Sequence, residues 1–241
     1  MHNQSNLKRE TRYGLPTADQ VLYNRFYILG YSYYFRQAKW ALEIIDPDKT
    51  DIERMDNFRP DYRVPEEFRA DLAVYEKSGF DRGHLVSSAN QIEASIQNSE
   101  TFLLSNMCPQ KPMFNRGIWK NLEQAIRVLN SKKKVLETYV ITGPLFFFDT
   151  EVFMIGDSDE KIKVSLPIPH AFFKSILVET NTGSINMWSF IIPNEVTDQK
   201  LETFLVKTSK VEKISGLFLW DTLLGTKMMN KKNRIRKMWK Y

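Results

Sequence analysis

The sequence predicts an α+β fold, one domain on a central, mainly antiparallel sheet flanked by helices. Three observations carry that expectation. Short segments rich in aromatic and β-branched residues recur along the chain, only one long segment shows a clear helical stripe, and no repeat or low-complexity tract interrupts them. The 241 residues suffice for a substantial core, and the 42% apolar and 26% charged residues are ordinary for a soluble domain.

In chain order, residues 1–20 read as a polar lead-in, 21–225 as the folded domain and 226–241 as a basic tail. Phe26 to Phe35 and Lys39 to Ile45 are rich in aromatic and β-branched residues, the second alternating in part, which predicts a hairpin or two adjacent strands. Residues 46–80 carry Pro47, Pro60, Pro65 and many charges, which predicts a long irregular connection. From 116 to 130, Ile118, Leu122, Ala125, Ile126 and Leu129 fall on one helical face. Asn115 is a good N-cap type in front of it, and Asn130-Ser131 end it. Val135 to Thr142 reads as a strand stopped by Gly143-Pro144. Lys161 to Leu166, Phe172 to Glu179 and Ile185 to Ile192 read as further strands, with Asn181-Thr182-Gly183-Ser184 turning between the last two. Residues 198–224 look mixed, with a short helix around Ser209 to Leu217.

Charge is unevenly placed. The formal net charge is +5, but residues 226–241 hold seven Lys and Arg and no acid, leaving 27 basic against 29 acidic side chains elsewhere. The tail is therefore either a solvated terminus or a non-specific phosphate-binding arm. Cys108 is the single cysteine, so no intramolecular disulfide can form, which fits a reducing compartment. The first 20 residues lack the apolar core of a secretory leader and no run approaches a membrane span, which favours the cytoplasm and no membrane partner.

The chemistry concentrates in Asp81-Arg82-Gly83-His84, Ser105 to Gln110 and Asn115 to Arg127. Hydrolysis of a phosphodiester needs an activated water and compensation for charge on the phosphoryl and departing oxygens. A neutral imidazole can take the proton near pH 7, with activity declining below about pH 6 as an ordinary histidine protonates. Guanidinium groups and a hard divalent cation can hold the charge, and an amide oxygen such as that of Asn115 suits magnesium. Glu123 lies two turns along the same helix flank, where it could hold a metal-bound water, and Arg127 follows four residues later. Taken singly, each residue has a duller reading: a structural histidine, a surface Asp81-Arg82 pair, a turn glycine, a helix cap, helix-surface decoration. Their order and spacing together favour the site.

Glu53 to Asp61, Gly79 to Leu85, Phe102 to Asn106, Pro109-Gln110, Asn115 through Glu123 and Thr142-Gly143-Pro144 stand in that order. From about Tyr31 to Asn194 the chain resembles the DNA/RNA non-specific endonuclease family, the DRGH nucleases. The resemblance implies a ββα-metal (His-Me finger) nuclease fold, Mg²⁺ (or Mn²⁺) as cofactor, and hydrolysis of DNA and RNA to products with 5′-phosphates. It makes His84 the general base and Asn115 the direct metal ligand. Glu123 matches the carboxylate that organises metal-bound water, and Arg82, Arg54 and Arg127 match the phosphate-contacting arginines. Asn106 matches an asparagine that supports the site. DNA and RNA are then partners through phosphate contacts, and a homodimer stays open. A nuclease without an export signal also suggests an effector restrained by an inhibitor or regulatory partner. The remaining alternative is a non-catalytic nucleic-acid-binding protein. His170, after Pro169 at a strand entrance, reads as structural, and Cys108 as a small buried side chain.

Overall fold

Strands β1 (Gln20–Tyr23), β2 (Tyr27–Ser32) and β3 (Gln37–Ile44) open the chain as an antiparallel meander. The computed structural model describes residues 8–45, 52–156 and 163–241. A separate pair, β4 (Asp81–His84) and β5 (Met107–Gln110), stands apart from the main sheet. The chain then returns as β6 (Val135–Leu145), makes a small pair from β7 (Met154–Ile155) and β8 (Leu166–Pro167), and closes with β9 (Ala171–Thr180), β10 (Ile185–Pro193) and β11 (Leu205–Val206). The main sheet has seven strands in the order β1-β2-β3-β6-β9-β10-β11, each neighbour antiparallel. The helices are α1 (Ser95–Glu100), α2 (Pro112–Phe114), α3 (Lys120–Asn130), α4 (Thr208–Ser215) and α5 (Thr226–Lys232).

Alternation along the strands gives the sheet two apolar faces. Leu29, Val140, Phe172, Ile176 and Phe190 meet Leu122, Ala125, Ile126 and Leu129 of α3 on one face. Trp40, Leu42, Ile141, Phe173 and Leu177 meet Val211 of α4, Leu217 and Trp220 on the other. The expected hairpin is β2–β3 and the expected strands at 172–179 and 185–192 are β9 and β10. The stripe at 118–129 is the buried face of α3.

Four expectations need correction. Asn115 does not cap the helix, because Pro112 at the first helical position starts α2 a turn earlier. A π-type turn over Asn115–Trp119, kinked at Gly117 (φ −102, ψ −108), joins α2 to α3. Gly143-Pro144 does not stop β6. Past Thr142 only β9 still pairs with it, so the prolines's missing N–H falls where the β3 side is already open. Of Lys161 to Leu166, residues 161 and 162 lie outside the described residues, and strand structure is confined to Leu166–Pro167. Within the polar lead-in, Arg9–Tyr13 form a 3₁₀ turn, with Tyr13 buried and its hydroxyl donating to Glu179 at 2.6 Å. The tail is not a frayed terminus. Met238 and Trp239 enter the α3-side core, the Trp239 indole donating to the Ala125 carbonyl at 2.8 Å.

Candidate active site

The site assembles where β4, β5 and the α2–α3 run meet. Asp81 to His84 pair with Gln110 to Met107 across the small ribbon. Gly83 is required by that pairing, since a Cβ there would lie 2.1 Å from the Gln110 side chain. His84 therefore sits on a fixed strand. Its ring stands edge-on between Phe58 (5.8 Å) and Phe102 (5.1 Å), and its Nε2 is buried without a partner among the described residues. Burial, reinforced by the nearby Arg54 guanidinium, pushes the His84 pKa down to about 3, so the imidazole is neutral at ordinary pH.

Each flanking ring carries an arginine. Arg82 lies over Phe58 at 4.2 Å and Arg54 over Phe102 at 4.8 Å, with Arg54 also donating to Ser88 Oγ at 2.8 Å. Both arginines are exposed, so His84 sits below two guanidinium groups held on aromatic supports. One backbone tie and one side-chain bond hold these supports against each other: Arg59 bridges to Leu103, and Ser105 Oγ donates to Asp61 Oδ2 at 2.6 Å. Burial pushes the Asp61 carboxyl up, but Arg63 and Ser105 outweigh it and leave its pKa below the usual value.

Asn115 is half-buried, and its Nδ2 donates to Asp81 Oδ2 at 2.9 Å. Arg116 clamps the same carboxylate at 2.9 and 2.7 Å. With its nitrogen committed, the Asn115 amide turns its oxygen away from Asp81, leaving a hard donor for a cation. Glu123 lies further along the run. Burial raises its pKa, while Lys174, a hydrogen bond from Ser87 and Arg127 oppose the rise. Arg127 donates to Asn90 Oδ1 at 2.9 Å. No three His, Cys, Asp or Glu side chains among the described residues are grouped to hold a metal, so a metal reading rests on Asn115 and Glu123.

The structure thus groups His84, Arg82 and Arg54, and ties Asn115 to the start of the same strand through Asp81. Asn106 is different. It is fully buried, accepting from the Val86 N–H at 3.0 Å and donating to the carbonyls of Val86 (3.0 Å) and Thr101 (2.9 Å). It fixes the backbone just after His84 and does not reach a substrate. His170 is structural: Nδ1 accepts the Phe147 N–H at 3.0 Å and Nε2 faces the Glu151 carbonyl. Sequence reasoning gave no role to Phe58, Phe102 or Asp81. The aromatic pair left no periodic signal because Phe58 sits in irregular chain and Phe102 in a turn, and Asp81 read as half of a surface pair.

A buried imidazole flanked by two ring-supported, exposed arginines, with an asparagine amide tied to the start of the same strand, is a donor set suited to phosphodiester hydrolysis, that of a nuclease. The family model of DNA/RNA non-specific endonucleases matches residues 6–225. Mitochondrial endonuclease G of Homo sapiens is 36% identical over 223 residues, 89% of this chain and 74% of that protein. Nuclease C1 of Cunninghamella echinulata var. echinulata is 37% identical over 228 residues, 88% of this chain and 87% of that protein. A chain in the crystal structure of the EndoG/EndoGI complex superposes with a TM-score of 0.82 at 30% identity, covering 89% of this chain and 91% of that one. The chain belongs to the DNA/RNA non-specific endonuclease family.

Proposed function

We propose that this endonuclease is Mg²⁺-dependent, that His84 is its general base, and that it cuts DNA and RNA to leave 5′-phosphates. The observation that carries the reading is the neutral His84 ring between two aromatic supports, each bearing an exposed arginine. His84 takes the proton of the attacking water as its oxygen bonds to phosphorus. Arg82 and Arg54 neutralise charge on the non-bridging oxygens. The P–O3′ bond breaks, the departing oxygen takes a proton from solvent water, and the phosphate stays on the 5′ side.

Asn115 would hold the cation through its amide oxygen, with Asp81 fixing the amide and Glu123 orienting coordinated water. A bound Mg²⁺ supplies charge stabilisation at the phosphoryl and leaving oxygens. Arg127, on α3 and bonded to Asn90, would contact phosphate from that side. Contacts directed at phosphate carry no base or sugar identity, which fits action on both nucleic acids. Because the matched structure is that of the EndoG/EndoGI complex, we include restraint by a protein inhibitor in the proposal.

Supercoiled plasmid and total RNA are incubated with wild type and His84→Ala in Mg²⁺ or EDTA, with the ends of the products mapped. Both substrates are expected to degrade to 5′-phosphorylated fragments only with wild type and metal. Binding without cleavage in Mg²⁺ would replace the reading with that of a non-catalytic nucleic-acid-binding protein.

A further inference from the structure

Behind the site lies a buried ionic cluster that the steps above do not use. On β9, Phe172, Lys174, Ile176 and Val178 share the face turned toward α3, and Lys174 alone among them is charged. The register pairs Lys174 with Thr142 on β6 and Thr142 with Ala41 on β3, so Glu43 lies on the same face, diagonal to Thr142. Both Lys174 and Glu43 are 1% exposed.

The Lys174 ammonium donates to Thr142 Oγ1 at 2.9 Å and to the Leu85 carbonyl at 3.3 Å. It stands 3.9 Å from Glu123 Oε1 and lies over the Trp119 ring at 4.6 Å. Three of these four neighbours belong to the site's frame, and the fourth, Thr142, is on β6. Leu85 follows His84 directly, Glu123 is on α3, and the Trp119 indole points at the His84 carbonyl at 3.5 Å. Glu43 accepts from Asn90 Nδ2 at 3.1 and 3.2 Å, and Asn90 is the partner of Arg127.

We propose that Lys174 is a positioning residue for this nuclease: from inside the sheet its ammonium fixes the Glu123 carboxylate and the backbone following His84 in one frame, with the Glu43 carboxyl buried on the same face. The inference rests on the reading of Glu123 as organiser of metal-bound water. Its physical basis is the cost of the alternatives. A buried ammonium is expensive, and a well-packed apolar side chain of like volume would stabilise the sheet as well or better. What lysine adds is a direction: one ammonium that reaches β6, α3 and the residue after β4. Burial raises the carboxyl pKa of both Glu43 and Glu123, and in each case Lys174 opposes it.

Lys174→Met alone leaves two buried carboxylates without their cation, so lost stability and lost positioning would be confounded. The test therefore adds Glu43→Gln and the charge-balanced pair Glu43→Gln/Lys174→Met, with Glu43→Gln/Lys174→Gln in case the methionine pair fails to fold. Thermal midpoints in EDTA, the rise in midpoint on adding Mg²⁺, the Mg²⁺ concentration for half-maximal cleavage, and KM for DNA are measured on the full chain. Lys174→Met is expected to lose midpoint and activity together. The balanced pair is expected to recover its midpoint in EDTA while half-maximal cleavage needs about 10- to 100-fold more Mg²⁺. Its KM for DNA should stay within about twofold, since Arg82 and Arg54, held over Phe58 and Phe102, are untouched. A balanced pair with wild-type Mg²⁺ dependence and wild-type Mg²⁺-induced midpoint rise would make Lys174 purely structural and overturn the proposal. A wild-type chain that fails to cleave would instead overturn the nuclease reading on which it rests.

Discussion

Replacing Asn106 by alanine separates support of the site from participation in the reaction. Three hydrogen bonds end on this side chain, all to backbone: the Val86 N–H, the Val86 carbonyl and the Thr101 carbonyl. Alanine leaves these groups buried and unpaired, each at about 1–3 kcal/mol, with carbonyls at the lower end. A loss of about 3–6 kcal/mol is a large share of the about 5–15 kcal/mol that holds a typical domain together. At roughly 2–4 °C per kcal/mol for a chain of this size, the midpoint should fall by about 6–24 °C. Asn106→Asp should fare no better, because it places a carboxylate oxygen against two carbonyls. The assay is thermal unfolding by circular dichroism, with cleavage measured well below the variant's midpoint. There the Asn106→Ala enzyme should retain measurable activity, reduced as far as the strand after His84 has shifted. An unchanged midpoint with cleavage abolished would refute this reasoning and return Asn106 to the reacting groups.

Other expectations follow from the same geometry. Asp81→Ala frees the Asn115 amide, so the Mg²⁺ needed for half-maximal cleavage should rise about 10- to 100-fold. Stability should change by less than about 1 kcal/mol, because the Arg116 partner is largely exposed; equal Mg²⁺ dependence would remove Asp81 from the site. The base form of His84 is the neutral ring, present above its pKa, and a pKa held at about 3 extends that form well below the ordinary histidine range. Single-turnover cleavage should therefore persist below pH 6, and an acid limb centred near 6.5 would contradict the burial argument. Neutralising the exposed tail residues Lys227, Arg234 and Lys237 to Ala should leave the midpoint within about 0.5 kcal/mol per site while the salt dependence of DNA binding becomes shallower by about one per lost phosphate contact. Trp239→Ala, by contrast, should cost about 3–5 kcal/mol, since its indole packs edge-on against Trp188 and bonds Ala125. An unchanged salt slope in the first variant would leave the tail as a strap for α3 alone.

The architecture was legible wherever one physical signal dominated. The stripe Ile118 to Leu129 could only bury one helical face, and the aromatic segments at 26–45 and 171–193 could only pair. Misreadings came where two signals competed at one position. Asn115 is a good cap by residue type, yet Pro112 pre-sets the helical backbone earlier and releases the asparagine side chain to meet Asp81. Gly143-Pro144 reads as a stop, but a strand paired on one side tolerates a proline. The tail's charges hid Met238 and Trp239, too few and too far from other apolar residues to show a period. At the site, His84, Asn115, Arg82 and Arg54 were readable because their motifs stand in order. Phe58 and Phe102 were not, since a ring that supports an arginine looks in sequence like any core aromatic. Lys174 and Glu43 were hidden for another reason. In strands of alternating pattern a lone charge reads as facing solvent, and only the register shows that these two face the core.

The central claim is that the imidazole at position 84 removes the proton from the attacking water. Single-turnover cleavage by His84→Gly in saturating Mg²⁺, with and without added imidazole, tests it most directly, DNA affinity being measured in parallel. The account predicts a rate loss of about 10²–10⁴, unchanged affinity, and recovery that tracks the concentration of neutral imidazole. Cleavage by the glycine variant within a few-fold of wild type would contradict it.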